Sequence, residues 1–473
     1  MKNFVFIALQ TIFCLLYNSK QGVNMFDIGI IGAGPAGYSA AIRASQLGLK
    51  VVLFEKEFVG GTCLNKGCIP TKTILHSVNV YSQMKNANKL GILADNVSFD
   101  FAKIQERQKS VSEKIRKNLF NLIKSYGVEI VESIASIEDE HHIVANNNSY
   151  EVKNIIIATG SKPNNIKFNG NYESDFVKNS DDILNLTELP KSVLIVGSGA
   201  IGVEWTRIFS ALGVKVIVVD MAEKLIPSAD TDVSDRVARL FKRNRIEFYT
   251  STTISSIENK TVELSNDKSF EVDFVMLGAG RLPVLDFGKI SSSLKIEKYI
   301  VSDENFKTNY ENIYAIGDVN GASMLAHSAV KQAEEVIDYI LEHKNCSFDK
   351  NLVPSVIYGT PEIAWIGKTE FELQKDNIEY KKSVFPVSAL GKAYAEDKIE
   401  GFIKILATDT QILGAHIISE EASALIQQIA IAMNNNILPK DMLKVIYAHP
   451  TYSEGVSEAI AGLYKLALNL PKQ

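Results

Sequence analysis

Cysteine is scarce in this chain: four among 473 residues, at positions 14, 63, 68 and 346. So few cannot staple a chain of this length, which excludes a secreted disulfide framework. Only Cys63 and Cys68 are close in sequence, and no second pair completes a zinc set. Long apolar runs are also missing. The best candidate, Phe4 to Leu16, is thirteen residues, short of the ~20 that cross a bilayer. No membrane association is expected. There is no long basic run and the net charge is −5, which argues against a nucleic-acid partner. What remains is an ordinary globular composition, 46% apolar and 22% charged, long enough for three or four domain-sized units.

Residues 1–24 form a separate compositional block. Lys2 precedes the apolar stretch, and polar Tyr17 to Gly22 follows it. The pattern is signal-like but has no clean small-residue cleavage site, and the absence of arginine is unlike a transit peptide. Met25 stands immediately before the first strand, so residues 1–24 are read as an extension dispensable for the fold. The expected compartment is the cytoplasm, or an organellar matrix if that segment is a targeting signal.

Downstream, one pattern occurs twice. The apolar run Asp27 to Ile31 leads into Gly32-Ala33-Gly34-Pro35-Ala36-Gly37, and Ser192 to Val196 leads into Gly197-Ser198-Gly199-Ala200-Ile201-Gly202. Each is followed by a helical stretch and a second apolar strand closed by an acid, Glu55 or Asp220, 23 positions after the first glycine in both copies. In such a unit the first glycine makes the tight turn and the second admits a pyrophosphate to the backbone. The third lets the helix pack on the strand, while the acid takes the ribose hydroxyls. Two copies in this context predict two Rossmann-like dinucleotide-binding domains.

The remaining chain supports an α/β reading with a further C-terminal α+β domain. Phe101 to Tyr126 is helical in pattern, and Ile155 to Gly160 and Phe274 to Arg281 are apolar strands ending in glycine turns. Ile313 to Asp318 is a buried strand with an acid at its tip. After about residue 349 come short strands, including Gly401 to Leu406, and a helix from Ala422 to Met433. The expected division is residues 1–24, then 25–149 and 281–348 for the first dinucleotide domain, 150–280 for the second, and 349–473 for the C-terminal domain.

Cys63 and Cys68 lie in Gly60-Gly61-Thr62-Cys63-Leu64-Asn65-Lys66-Gly67-Cys68-Ile69-Pro70-Thr71-Lys72, directly after the first fingerprint. Five residues of ideal helix rise about 7.5 Å, beyond the ~7 Å Cα reach of an unstrained disulfide. A bridge therefore needs a break, which Gly67 favours, and strain would make it reducible. The pair reads as a redox dithiol rather than a metal pair or two buried thiols.

Together these motifs resemble the flavin-dependent pyridine-nucleotide disulfide oxidoreductases, in order, over residues 25 to 470. The Cys-Leu-Asn-x-Gly-Cys-Ile-Pro phrase is similar to the branch that oxidises dihydrolipoyl groups; branches acting on glutathione or mercury more often carry valine after the first cysteine. Gly317-Asp318, with Met324-Leu325-Ala326-His327, resembles the second flavin motif. His449-Pro450-Thr451-Tyr452-Ser453-Glu454 resembles the C-terminal signature. The resemblance implies FAD on Gly32, Gly34, Gly37, Glu55, Gly61, Thr62, Lys72, Thr159, Gly160, Ser161, Asp318, Met324, Leu325, Ala326 and His327, with Lys72 paired to Glu204. It implies NAD on Gly197, Gly199, Gly202, Glu204, Asp220 and Gly280, and no metal. Cys68 would face the flavin, Cys63 would exchange with substrate, and His449, oriented by Glu454, would be the base, supplied across a homodimer. The implied substrate is a lipoyl group carried in trans by acyltransferase subunits of 2-oxoacid dehydrogenase complexes; a glutathione- or mercuric-type reductase is the alternative.

The acid Asp220, with Met221 and Pro227 where NADP users place arginines, favours NAD, and Arg207 is the one nearby cation. Departures from the family pattern are Lys66, expected to lower the Cys63 thiol pKa, Ser133 in place of glycine, Trp205-Thr206-Arg207 in place of Leu-Gly-Ser, and Gly359-Thr360 in place of Thr-His.

Overall fold

A computed structural model describes residues 25–471; the reading of residues 1–24, with Cys14, lies outside the described residues. The chain divides into two compact units. One comprises the chain through Asn65 with Lys114–Ser161 and Pro283–Phe348; the other comprises Lys66–Glu113, Lys162–Leu282 and Asp349–Gln473.

The first unit is built on a parallel sheet in the order Glu129–Glu132, Val51–Glu55, Phe26–Ile31, Asn148–Ile157, with Ile313–Ala315 parallel to the last. Ile30 stands between Leu53 and Ile156 in register. Side chains alternate across the sheet. Ile28, Ile30, Leu53 and Ile156 pack with the alanines of the helix Pro35–Gln46, whereas Val52, Phe54, Ile155 and Ile157 pack with Ile137 and Ile143 on the other face. Both faces are covered, so these strands read as unbroken apolar runs. The alanines 40, 41 and 44 keep that helix slim enough to pack with Ala329 and Ala333 of the helix Ala326–Glu342.

The second unit repeats the plan. Its parallel sheet runs Glu247–Tyr249, Lys215–Val219, Ser192–Val196, Phe274–Leu277, Val177–Asn179. The C-terminal part is an antiparallel sheet ordered Ser355–Ile357, Glu362–Gly367, Ile412–Ser419, Phe402–Ala407, Lys381–Pro386. Ile403, Ile405 and Ile417 bury one face against the helices Ala422–Asn434 and Glu454–Gly462. On the opposite face the cross-strand pair Lys404 and His416 is fully buried. The Lys404 ammonium bonds Asp230, Asp232 and Glu370 at 2.8, 2.6 and 2.6 Å. Those three carboxylates are close enough together to hold a cation, and the lysine occupies that place.

The expected α/β architecture with two dinucleotide folds and a C-terminal α+β part is what the chain forms. Element ends differ by a residue or two, as with the helix Phe101–Ser125 and the strand Phe402–Ala407.

Candidate active site

Both fingerprints form the turn that their glycines predict. Gly32 has φ +99° and Gly197 φ +100°, values that a side chain would strain. A Cβ on Gly37 would lie 1.8 Å from the Gly32 oxygen, and one on Gly202 would lie 1.8 Å from the Gly197 oxygen. The third glycine is therefore fixed by contact between the helix and its own turn.

The fingerprint helices, Pro35–Gln46 and Ala200–Ala211, begin at Gly34 and Gly199 without a side-chain cap. The helices at Ser180, Thr231 and Glu370 are instead capped by Asn179, Asp230 and Thr369. Uncapped N–H groups at the positive end of a helix suit a phosphate. Space is available for one: a Cβ at Gly199 would meet nothing within 4 Å, and one at Gly34 only the Gly61 Cα at 3.8 Å. These residues fit a dinucleotide pyrophosphate in each copy.

The acids do more than wait for a ribose. Glu55 accepts from Ala33 N at 2.8 Å and from Glu57 N at 2.9 Å. Asp220 accepts from Ser198 N and Oγ, both at 2.6 Å, and from Ala222 N at 2.8 Å. Each carboxylate thus holds its own glycine turn and keeps further lone pairs for a ligand. The Asp220 charge opposes a 2′-phosphate. Arg207 is not beside it. It lines a separate cavity with residues such as Asn79 and Tyr358, and neither Ser198 nor Asp220 belongs to that lining.

Around the second flavin motif, Ser161 Oγ donates to Asp318 at 2.5 Å. Thr159 Oγ1 donates to the Val284 oxygen at 2.8 Å and Val284 N returns a bond to Gly160. Met324 to His327 open the helix Ala326–Glu342, which also lacks a side-chain cap. Gln332 is a residue that sequence reasoning missed. Fully buried, its Oε1 accepts from Gly317 N at 2.8 Å and Asn320 Nδ2 at 3.0 Å, fixing the turn that presents Asp318. The signal was a glutamine on the apolar face, three after Ala329 and four before Val336.

Cys63 lies in the short helix Gly61–Lys66, and Cys68 opens the helix Cys68–Lys85. Gly67 between them is non-helical, with φ −144° and ψ −107°, so the break expected there is present. Both cysteines are partly buried. Cys346 differs: burial first, then the Glu335 charge, pushes its thiol up to about 12, which leaves it unreactive. Lys66 has an acidic neighbour, Asp181, whose carboxyl burial raises while the charges of Arg281 and Lys66 pull it down.

One turn past Cys68, Lys72 forms a two-pronged bond to Glu204, at 2.7 and 2.8 Å. Glu204 is 4% exposed and also accepts from Tyr358 N at 3.0 Å. The lysine ammonium stands 4.7 Å over the Tyr358 ring, whose hydroxyl burial pushes up against the opposing Lys72 charge. The expected pairing is thus in place, together with an aromatic contact not foreseen.

His449 Nδ1 meets Glu454 Oε1 at 2.8 Å, and Glu454 Oε2 accepts from Thr451 N at 2.9 Å. Burial works to raise the Glu454 pKa, but the His449 and Thr451 bonds outweigh it and hold the carboxyl below its ordinary value. An ionised carboxylate on Nδ1 fixes the tautomer with Nε2 as the proton acceptor. The His449 side chain is 76% exposed, and Ile446 and Val445 near it are 97% and 57% exposed. Ser133, where a glycine is usual, donates to Asn146 Oδ1 at 2.8 Å.

Two nucleotide folds, a cysteine pair and a carboxylate-oriented histidine define a flavin- and nicotinamide-linked disulfide oxidoreductase. The chain belongs to the pyridine nucleotide-disulphide oxidoreductase family, whose model matches residues 26–333, and the family's dimerisation-domain model matches 353–460. A dihydrolipoyl dehydrogenase of Buchnera aphidicola is 36% identical over 94% of this chain and 98% of its own. One from Haemophilus influenzae is 35% identical over 92% and 94%. A leghemoglobin reductase of Vigna unguiculata is 37% identical over 94% and 88%. Among solved structures, LpdA from Mycobacterium tuberculosis matches with a TM-score of 0.85 at 22% identity, covering 92% of this chain and 99% of that one; this likeness is one of fold.

Proposed function

We propose that this chain is an NAD-dependent dihydrolipoyl dehydrogenase, an enzyme with FAD and NAD as cofactors. It would oxidise the dihydrolipoyl groups carried by acyltransferase subunits of 2-oxoacid dehydrogenase complexes. The carrying observation is the coexistence of the Cys63/Cys68 motif with a His449–Glu454 pair at 2.8 Å in a chain whose relatives bear that activity in their names.

The reaction is written for a homodimer in which His449 of one subunit serves the cysteines of the other. Its exposure beside the apolar Ile446 and Val445, within the segment matched by the dimerisation model, supports that arrangement. His449 Nε2 takes the proton from one substrate thiol, and Glu454 stabilises the imidazolium. The thiolate attacks Cys63 Sγ; the Cys63–Cys68 bond breaks and Cys68 leaves as thiolate. The second substrate thiol gives its proton to the departing Cys63 sulfur as its own sulfur displaces Cys63, closing the oxidised lipoyl ring. The substrate has lost two electrons and the cysteine pair has gained them. Bound FAD supplies the two-electron carrier between that dithiol and NAD. Lys72, held by Glu204, would hold the flavin end of that cofactor with its ammonium. The roles of Gly32, Gly34, Gly37, Glu55, Ser161 and Asp318 toward FAD, and of Gly197, Gly199, Gly202, Asp220 and Gly280 toward NAD, are part of this reading. So is a cytoplasmic location; among the described residues no helix is long and apolar enough to cross a membrane.

The test is reduction of NAD by dihydrolipoamide with purified holoenzyme, run beside glutathione disulfide with NADPH. NADH formation that collapses in His449→Gln supports the reading. Turnover of glutathione disulfide with NADPH, and none of dihydrolipoamide, overturns it.

A further inference from the structure

Arg207 is the departure from the family pattern that the reaction above leaves unused. It lies on the second fingerprint helix, three residues after Glu204, and faces a cavity of about 610 Å³ within the second unit. The cavity is walled by that helix, the helix Cys68–Lys85, the end of the helix Thr231–Arg243 and the segments around Tyr358 and Glu400. A volume of this order suits a small organic molecule.

The polar groups facing the cavity are unevenly satisfied. The Arg207 side chain makes no hydrogen bond or ion pair with any described residue, and its Nε is fully buried. Asn79 Oδ1, in the same lining, is also buried without a partner. An amide can present either its oxygen or its nitrogen there. The carboxylates lining the cavity mostly have cations of their own. Glu400 takes Arg236 and Arg243 at 2.8 and 2.6 Å, Glu420 takes Lys398 at 3.1 Å, and Glu396 takes Lys392 at 2.6 Å. Among the described residues, Asp397 alone of these acids lacks an ion pair, against two cations without one, Arg207 and the exposed Lys89. The uncompensated charge is therefore positive. Burial pulls the Arg207 pKa down, with the Glu420 charge partly opposing it. Val203, Val237 and Phe241 give the same cavity an apolar wall.

Arg207 is partly buried with its Nε out of water, and no acid among the described residues bonds it. Drawing such a cation out of water costs free energy, and a guanidinium matches planar or tetrahedral oxyanions in a two-pronged bond. We propose that this cavity is a binding site for a small organic oxyanion, a carboxylate or phosphate ester, with its charged group on Arg207 and its apolar body against Val237 and Phe241. The site is separate from both fingerprints, none of whose glycines or acids lines it.

The test is calorimetric titration of the FAD-loaded protein, in saturating NAD to fill the dinucleotide site. The probes are sodium phosphate and sodium hexanoate at ionic strength balanced with chloride. Wild type is expected to bind at least one probe; phosphate alone points to a phosphate ester, hexanoate alone to a carboxylate. Arg207→Ser should weaken that binding at least ten-fold and Arg207→Lys should retain part of it. Failure of wild type to bind either probe, or equal affinity in Arg207→Ser, overturns the proposal. If Arg207→Ser does not fold, Asn79→Ala and Lys89→Ala decide: weakened binding supports the site, and unchanged binding in both overturns it.

Discussion

Acid should unfold this protein partly through one fully buried histidine. His416 Nε2 donates to the Lys368 oxygen at 3.2 Å, so the neutral ring carries its proton there. Nδ1 is buried without a hydrogen-bond partner among the described residues. Protonation would place an N–H with no acceptor on a ring whose cross-strand neighbour is the Lys404 ammonium. Burial, with the Lys404 charge adding to it, pushes His416 down to about 4 from 6.5, against the charges of Asp230 and Glu372 and the bond to Lys368. The folded state therefore holds fewer protons than the unfolded chain between pH 6.5 and 4. Stability rises with pH across that window and is lost as pH falls through it. A shift of that size amounts to about 3 kcal/mol between pH 7 and 4. The measurement is urea unfolding of the holoenzyme at pH steps from 7.5 to 4, wild type against His416→Gln. The variant is expected to start less stable and to lose about 3 kcal/mol less on acidification. Parallel pH profiles would refute the reasoning. The carboxylates beside it titrate lower. Burial works to raise Asp230 and Glu370, yet the surrounding positive charges, the Lys404 ammonium among them, hold both at about 2, and their contribution is lost only below pH 4.5.

Lys404→Met strands Asp230, 2% exposed, and should cost about 3–5 kcal/mol in chemical denaturation, with partial recovery in the Lys404→Met, Asp230→Asn double variant. Glu454→Gln should lower kcat by roughly 10²–10⁴ and leave the thermal midpoint nearly unchanged, because glutamine keeps the shape of the side chain and an oxygen for Thr451 N; a large fall in midpoint would assign the pair to stability. Gly202→Ala drives a Cβ to 1.8 Å from the Gly197 oxygen and should raise KM for NAD by roughly ten-fold or more while retaining the visible flavin spectrum. Gly37→Ala makes the same clash in the first copy and should instead lower the FAD content of the purified protein.

The amino-acid sequence alone determined the two dinucleotide folds, the cysteine pair with its break at Gly67 and the residue types of the His449–Glu454 pair. These are local: a strand, a glycine turn, a helix and an acid lie within 29 residues, Asp27 to Glu55 and Ser192 to Asp220, and the periodicity of apolar residues reports which faces are covered. Contacts between distant segments were decided by tertiary structure. Gln332 bonds a turn fifteen residues away, and Tyr358 closes on Glu204 from 154 residues further along. Lys404 is an ordinary strand lysine in the sequence, yet folding carries it to three carboxylates on other segments and removes it from water. Arg207 shows the reverse. Its place in the chain suggested the ribose that Asp220 serves, but its position on the helix turns it into a cavity instead, because side chains thirteen positions from an acid along a chain share no face until the elements between them pack.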